Sequence, residues 1–324
     1  MKVLMQRKYG GPELLALEEV DRPSPKAGEI LIRVKAASLN AADWHQMRGD
    51  PYFFRLFMGG LSKPRPQVLG RDVAGVIEAI GSGVEGFEVG DEVFGEIEFN
   101  HGGSYAEYIT TPADSVLLKP ANLTFGEAAA MPLAGITAIQ TLRNHGQLAP
   151  GQSVLINGAA GGVGTFLIQI AKSIGAEVTA VCSERNHAQA IELGADHVID
   201  YRKENFTELD KSYDLIVAVN GYHPIGAYKR SLNPGGRYVL VGGTNAQLFQ
   251  GMLLGPFVFM GSGKTMEICN AKANVTDLQS LKDLAESGQI VPVIDRTYAL
   301  VDIQEGLEYL ETGHARGKIV IEMG

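Results

Sequence analysis

The chain of 324 residues has little of what disulfide frameworks require, with only two cysteines. Cys182 and Cys269 lie far apart and form no C-x-x-C pair, so we expect two reduced thiols. No run of about 18 apolar residues predicts a membrane span, and the N-terminal segment MKVLMQRKYGG lacks the apolar core of a signal peptide. We therefore expect a cytoplasmic protein with no membrane partner.

Basic residues are also in short supply. Lys and Arg total 28 against 37 Asp and Glu, which gives a formal net charge of -9. Such an acidic balance argues against a large surface for nucleic acid. Any phosphate that the protein binds must then be recognised by a local group of residues.

The most informative stretch that is present covers residues 153–201. Apolar residues 153–157 predict a buried strand, and Ala159, Gly161 and Gly164 follow at the spacing of G-x-G-x-x-G with alanine in the first place. Gly161 would let a diphosphate approach the main chain, and Gly164 would let the helix over residues 163–174 pack on its strand. The helix N-terminus favours an anion. The residues expected to bind the pyrophosphate are Ala160, Gly161, Gly162, Val163 and Gly164.

The end of the next strand, GAEVTAVC, indicates which dinucleotide is bound. NAD sites usually carry Asp or Glu there, whereas this chain has Ser183. The Ser183 hydroxyl can donate to a 2′-phosphate and Arg185 can bind it by charge-assisted hydrogen bonds. Tyr201, at the end of the short strand HVIDY, could close the same pocket with its hydroxyl. NADP(H) is favoured, although Glu184 between the two donors could instead face the ribose.

The chain reads as two domains. Residues 1–123 are β-rich and punctuated by glycine and proline, and residues 124–263 alternate strands and helices in the manner of a doubly wound parallel sheet. Residues 264–324 are a tail that we expect to return to the first domain.

Six segments together resemble the medium-chain dehydrogenases/reductases, specifically the zinc-free quinone oxidoreductases. They are SLNAADWHQMRG, PQVLGRDVAGVIEAIGSGVEGFEVGDEVFG, AAGGVG, CSERN, LGADHVIDY and GHARGKIVI. The resemblance implies an α/β fold in which a GroES-like β-barrel domain, built from both chain ends, carries an inserted Rossmann domain with a doubly wound parallel sheet. It also implies a homodimer.

Zinc ligands of the wider family are missing from this sequence. Zinc-dependent relatives need a cysteine or comparable ligand in the SLNAAD segment and a His-Glu pair where this chain has Gly70, Arg71 and Asp72. With two cysteines, the four-cysteine structural zinc lobe is also impossible. We expect no metal.

The resemblance places Asn40 beside the nicotinamide, where its amide could orient the ring or donate to the substrate oxygen. The alternative is an asparagine that only caps the following turn. Asp43 is expected to anchor this loop. His45 could supply a proton, although water can do so too, and Tyr52 with Phe53 could form an aromatic wall for a flat acceptor.

Further cofactor contacts follow from the resemblance alone. Lys318 falls where a basic residue of the wider superfamily reaches the pyrophosphate across the domains, and a solvated surface lysine is the alternative. The other contacts are expected at carboxyl ends of strands, and they are Thr137, Val219, Asn220 and Gly242.

The function expected from these residues is metal-independent transfer of hydride from NADPH to a small electrophilic carbonyl substrate, a quinone or an α,β-unsaturated ketone. A regulatory or structural protein that binds NADPH with little turnover is one alternative. An alcohol dehydrogenase-like enzyme is another, disfavoured because zinc ligands and a Ser-Tyr-Lys set are both missing.

Overall fold

The computed structural model describes residues 1–50, 52, 55, 60–65, 67–98 and 102–324. Within them, no helix is long and apolar enough to cross a membrane. The strands, numbered along the chain, are β1 (Lys2–Gln6), β2 (Leu15–Glu19), β3 (Glu29–Leu39), β4 (Asp72–Ile80), β5 (Glu92–Glu96), β6 (Tyr108–Pro112), β7 (Val116–Leu118), β8 (Ser153–Asn157), β9 (Glu177–Cys182), β10 (His197–Asp200), β11 (Tyr213–Ala218), β12 (Leu232–Leu240), β13 (Thr265–Ile268), β14 (Ile294–Ala299) and β15 (Lys318–Glu322).

Several α-helices begin at a residue whose side chain caps the N-terminus. Thr124 caps one of them with a capping box, in which Glu127 N donates to the Thr124 hydroxyl over 3.2 Å. The helices are α1 (Ala41–Arg48), α2 (Phe125–Ala129), α3 (Pro132–Gln140), α4 (Gly162–Ile174), α5 (His187–Glu192), α6 (Ile225–Arg230), α7 (Asn245–Phe259), α8 (Val275–Glu286) and α9 (Ile303–Glu311).

Two compact units divide the chain: residues 1–134 with 273–324, and residues 135–272. The first unit contains a sheet in the order β14-β15-β3-β4-β5-β7, with β6 also paired to β3. Its strands β3, β4 and β15 bury their apolar residues in one core with Met47 and Leu69. Both chain ends contribute to this unit, because β15 pairs with β3 in antiparallel register.

The second unit is a parallel sheet in the order β10-β9-β8-β11-β12-β13. From β8 the chain adds strands first on one side of the sheet, β9 and β10, and then on the other, β11 to β13. This order defines a doubly wound sheet. The apolar runs of β8, β9 and β11 are almost fully buried, as parallel strands covered on both faces require.

The unit boundaries differ from those predicted at 123/124 and 263/264. The first unit extends to Ala134 because Leu133 N donates to Asp72 Oδ1 over 2.8 Å. The second unit runs on past residue 263 because β13 pairs with β12 and adds a further strand to the sheet. Helix α7, which precedes β13, had no counterpart in the sequence interpretation.

Candidate active site

The glycine turn of the second unit joins β8 to α4. Gly158 has a φ of +95°, in the left-handed region that favours glycine, and Gly161 is the N-cap residue of α4. A Cβ on Gly164 would lie 2.3 Å from the Gly158 carbonyl oxygen, so no larger residue fits without movement of the backbone. Gly164 therefore sets the close packing of helix on strand, as its position in the motif predicted.

Gly161 differs from Gly164 in its surroundings. A Cβ built on Gly161 would meet nothing closer than 3.9 Å, so space remains open beside its main chain. The first amide N–H groups of a helix have no partner within the helix, and here they belong to Gly162, Val163 and Gly164. Ala160 and Val163 are partly exposed in the same turn. The turn thus fits a pyrophosphate, which needs both the space and the donors.

Ser183 follows directly after β9 and is 4 % exposed. Asn186 Nδ2 donates to Ser183 Oγ over 3.2 Å, and Asn186 itself is 6 % exposed. Its Oδ1 meets no hydrogen-bond partner among the residues that the structure describes. Because the Ser183 oxygen accepts from Asn186, its hydroxyl proton is available to donate to an anion. Sequence reasoning missed Asn186. The signal that could have found it is an asparagine at the N-cap position immediately before α5.

Charged residues around Ser183 are distributed at two neighbouring strand ends. Cys182 of β9 pairs with Asp200 of β10, so the segments after both strands lie side by side. Glu184 accepts from Lys203 Nζ over 2.9 Å, and both side chains are exposed. The carboxylate that could have faced a ribose is thus paired with a cation.

Arg185 and Tyr201 are exposed at these same strand ends. The Tyr201 ring is 52 % exposed and lies 5.7 Å from the Arg202 guanidinium. The structure therefore brings Ser183, Arg185 and Tyr201 to one edge of the sheet, as expected. Their contacts with a cofactor stay predictions.

The other residues expected to contact the cofactor separate into two groups. Val219 N and Asn220 N both donate to the Asn157 carbonyl, over 2.9 and 3.2 Å, and Gly242 N donates to Ala218 over 3.1 Å. These residues lie together at the carboxyl ends of β8, β11 and β12. The expectation of a strand end is wrong for Thr137, which lies within α3 and is 7 % exposed. The sequence AGITAIQ is apolar enough to fit either a buried strand or a buried helix.

Asn40 of the first unit stands between β3 and α1, at the N-cap position of the helix. Asp43 Oδ2 accepts from Asn40 N over 2.8 Å and from the Tyr105 hydroxyl over 2.8 Å, so Asp43 anchors the loop as expected. Burial raises the pKa of Asp43 to about 6, against the opposing effect of the Tyr105 hydrogen bond.

The side chain of Asn40 is part of a buried polar cluster. Its Nδ2 donates to Asp72 Oδ2 over 2.9 Å, while Lys318 Nζ donates to Asn40 Oδ1 and, over 3.2 Å, to Asp72 Oδ2. Ser38 Oγ donates to the same Asp72 oxygen over 2.5 Å. Strand register explains the meeting, because Ser38 pairs with Asp72 and Leu39 pairs with Ile319. The four residues Ser38, Asn40, Asp72 and Lys318 are called the Asn40 cluster below.

Lys318 is 3 % exposed, Asp72 is fully buried, and Asn40 is 5 % exposed. The reading of Lys318 as a solvated surface lysine is therefore wrong. Its ammonium donates to an amide oxygen and to a carboxylate. A buried cation needs such hydrogen bonds and a charged partner. The pyrophosphate contact expected for Lys318 stays a prediction.

A second ion pair, between half-buried Arg71 and buried Glu96, lies beside the Asn40 cluster. Arg71 Nη2 contacts Glu96 Oε1 over 2.6 Å, and Glu96 is opposite Asp72 in the register of β4 and β5. Burial raises the pKa of Glu96 to about 7, while Arg71 acts to lower it. Within the described part of the chain, no group of three or more His, Cys, Asp or Glu side chains is arranged to hold a metal ion.

His45 and the aromatic wall were the remaining expectations for the acceptor. His45 stacks on Trp44 with ring centroids 3.7 Å apart, and burial lowers its pKa from the usual value. The imidazole is therefore mostly neutral at pH 7, which weakens it as an acid. Tyr52 is 63 % exposed with Arg55 over its ring at 4.7 Å. Phe53 lies outside the described residues.

Comparison with known proteins agrees with this architecture. The alcohol dehydrogenase GroES-like domain family matches residues 26–121, and the zinc-binding dehydrogenase family matches residues 193–321. The chain is 35 % identical to the 2-methylene-furan-3-one reductase of Solanum lycopersicum over 99 % of this chain and 79 % of that protein. It is 32 % identical to the chloroplastic NADPH-dependent alkenal/one oxidoreductase of Arabidopsis thaliana, with the same coverages.

A solved structure, the quinone oxidoreductase from Coxiella burnetii, superposes with a TM-score of 0.88 at 31 % identity and covers 99 % of each chain. The chain belongs to the medium-chain dehydrogenase/reductase superfamily, in its quinone oxidoreductase branch. The predicted fold class is confirmed: a GroES-like domain together with a Rossmann-like parallel sheet.

Proposed function

We propose that the protein is an NADPH-dependent reductase that transfers hydride to a quinone or an α,β-unsaturated ketone without a metal ion. The observation that carries the proposal is the open turn at Gly161, at the N-terminus of α4, together with Ser183 and Arg185 at the next strand end. Relatives named as quinone and alkenal/one oxidoreductases support the class of reaction.

The chain's own residues would divide the work as follows. The turn from Ala160 to Gly164 binds the pyrophosphate through main-chain donors, and Val219, Asn220 and Gly242 line the neighbouring strand ends. A bound reduced nicotinamide supplies the hydride. The Asn40 amide would orient the reacting groups, and the enolate or quinolate anion left by hydride transfer would take its proton from water.

NADP(H) is the form of the cofactor that the polar groups favour. The Ser183 hydroxyl can donate its proton to a 2′-phosphate, and the positively charged Arg185 guanidinium suits the same group. The Glu184 carboxylate, which would repel a phosphate, forms an ion pair with Lys203. Replacing Arg185 by Ala should weaken binding of NADPH far more than binding of NADH, as measured by fluorescence titration. Equal losses for both cofactors would remove Arg185 from the phosphate site.

The Lys318 ammonium supports metal independence, because it already places a positive charge beside Asp72. The Lys318 ammonium lies 3.2 Å from Asp72 Oδ2, in the region where zinc-dependent relatives were expected to bind their ion. A second cation there would be repelled at close range.

One assay tests reaction, cofactor and metal together. Purified protein is incubated with NADPH and a panel of small quinones, enones and aldehydes, with NADH in parallel and with or without a strong chelator. We expect oxidation of NADPH with quinones or enones, unaffected by the chelator. Loss of activity on chelation that zinc restores would overturn metal independence, and tight binding of NADPH without turnover would favour the regulatory alternative.

We also propose a homodimer formed through the second unit. Strand β13 is the last strand of its sheet among the described residues, and α7 exposes Leu253 by 65 % and Phe257 by 71 %. An unpaired strand edge beside an apolar helix is suited to a second copy of the same surface. Leu253→Asp with Phe257→Asp should give a monomer by light scattering, whereas Ile191→Asp, at another exposed apolar residue of this unit, should not.

The cytoplasmic location expected from the sequence stays a prediction. One relative named above is chloroplastic, so the location is tested directly by fractionation of cells that express the tagged protein. Recovery in an organelle would contradict it.

A further inference from the structure

The side-chain amide of Asn40 lies between a cation and an anion. An asparagine amide has nearly the same shape in two orientations that exchange its oxygen and nitrogen, so hydrogen bonds must decide between them. Here Lys318 Nζ contacts Oδ1 and Asp72 Oδ2 accepts from Nδ2 over 2.9 Å. The flipped amide would place its NH₂ group against an ammonium and its carbonyl oxygen against a carboxylate.

We propose that Lys318 and Asp72 are positioning residues that fix the orientation of the Asn40 amide for hydride transfer. The inference rests on the proposed function, in which Asn40 lies at the reacting centre. It assigns Lys318 a role inside the first unit, in place of the pyrophosphate contact expected from the family resemblance.

Asp72 is itself held so that it can act in this way. Its Oδ2 accepts from Ser38, Asn40 and Lys318, and its Oδ1 accepts from Leu133 N over 2.8 Å. Donors thus reach both carboxylate oxygens, from β3 and the residue that follows it, from β15 and from the first turn of α3. A buried ion pair adds little net stability compared with apolar residues of the same size. The Asp72–Lys318 pair instead leaves only one favourable orientation for the Asn40 amide.

The fixed amide has partners at both of its polar atoms. Nδ2 has two hydrogens, one directed to Asp72 and one to the Ser38 carbonyl over a long 3.4 Å. Oδ1 accepts from Lys318, and the capping box of α1 brings the Asn40 side chain to the Asp43 amide as well. Both roles expected for Asn40 from the sequence, orienting the nicotinamide and donating to the substrate oxygen, stay predictions.

The main test removes both charges at once with Asp72→Asn and Lys318→Met, because Lys318→Met alone would leave a buried carboxylate unpaired. We expect the double variant to fold and to bind NADPH within about twofold of the wild type. Its kcat should fall about 10- to 100-fold with little change in KM, the effect of losing a hydrogen bond to a charged group. The matched control is Asp196→Asn with Lys172→Met, a Lys–Asp pair 2.8 Å apart in the second unit, which should keep the wild-type kcat.

A second readout needs neither cofactor nor turnover. In the ligand-free protein with ¹⁵N-labelled asparagine, the Asn40 side-chain resonances, assigned by their loss in Asn40→Ser, should move in the double variant and stay in the control. Unchanged Asn40 resonances, or an unchanged kcat, would overturn the proposal. So would a rise of tenfold or more in the Kd for NADPH at constant kcat, which would instead place Lys318 at the pyrophosphate.

Failure of the proposed function looks different. In that case the wild type itself oxidises no NADPH with any acceptor. The Asn40 resonances then decide alone whether Lys318 and Asp72 fix the amide.

Discussion

The two units of the chain arrange their candidate residues in opposite ways. In the second unit, most of the candidate residues lie on turns after β8, β9, β10, β11 and β12, and several of them are expected to act through main-chain atoms. In the first unit, the side chains of the Asn40 cluster are 0 to 5 % exposed, and two of them, Asp72 and Lys318, carry opposite charges. A main-chain site depends on backbone space, whereas the Asn40 cluster depends on the identity of each side chain.

This difference predicts which substitutions each unit tolerates. In the second unit, glycines that make room are critical while their neighbours can vary. In the first unit, a change of a single charge should disturb folding as well as function. The four experiments that follow test this contrast.

The largest effect is expected for Lys318→Met alone. Removing the ammonium leaves Asp72, which is fully buried, without its cation. The free energy of unfolding should fall by about 3–5 kcal/mol, measured by urea denaturation with NADPH absent. The double variant with Asp72→Asn should recover much of this loss. Equal destabilisation by both variants would mean that packing, and not charge, stabilises the cluster.

Gly164→Ala should have the next largest effect. Its Cβ would lie 2.3 Å from a backbone oxygen, so the free energy of unfolding should fall by about 3 kcal/mol, the upper end of overpacking effects. Gly161→Ala is the matched control, since its Cβ has open space and should leave the melting temperature nearly unchanged. Gly161→Ala should nevertheless weaken NADPH binding. If Gly161→Ala bound NADPH like the wild type, the space beside Gly161 would not be the pyrophosphate site.

A smaller effect is expected for Asn186→Asp. The new carboxylate would stand beside Ser183 and repel a 2′-phosphate, so affinity for NADPH should fall about 10- to 100-fold while affinity for NADH changes little. Isothermal titration with both cofactors measures the difference. Asn144→Asp adds the same charge at an exposed residue before β8 and should change neither affinity. Equal losses for NADPH and NADH in Asn186→Asp would contradict the assignment.

The smallest effect concerns the pH dependence of stability. Glu96, with its pKa raised to about 7 by burial, keeps a proton in the folded state that the unfolded chain releases above its ordinary value near 4.5. Its contribution to stability is therefore complete below about pH 4.5 and is lost as pH rises towards 7. Glu96→Gln removes this titration, so its stability relative to wild type should rise between pH 5 and 7.

The size of this change should be on the order of 1 to 2 kcal/mol, since the raised pKa, which already includes the opposing effect of Arg71, acts over these two pH units. Thermal melts of both proteins at several pH values measure it. A constant difference between the two proteins across this range would show that Glu96 is already ionised at pH 5.

Much of the second unit was predictable because its signals are local. The strand over residues 153–157, the turn with Gly161 and Gly164, and the following helix occur in one continuous stretch, so spacing alone gave their arrangement. Asn186 was missed because its relevance comes from a contact with Ser183. The strand β13 was missed because four residues beyond a glycine-rich loop carry little pattern.

The first unit shows the limit of sequence reasoning. Family resemblance pointed to Asn40 and Lys318, but it gave them separate roles and left Lys318 a possible surface residue. The two are 278 residues apart, and only the antiparallel pairing of β15 with β3 brings them together. The position of Asp72 then determined their common hydrogen-bond partner.

The sequence by itself therefore determined the glycine turn, the parallel sheet around it, the absence of an acidic residue at position 183 and the poverty in cysteine, because each is a property of consecutive residues or of composition. The tertiary structure alone decided that Lys318 is buried, that Asp72 links it to Asn40 and that Glu184 is paired with Lys203. Those outcomes depend on strand register over long separations, where hydrogen bonds and desolvation select partners that no local pattern specifies.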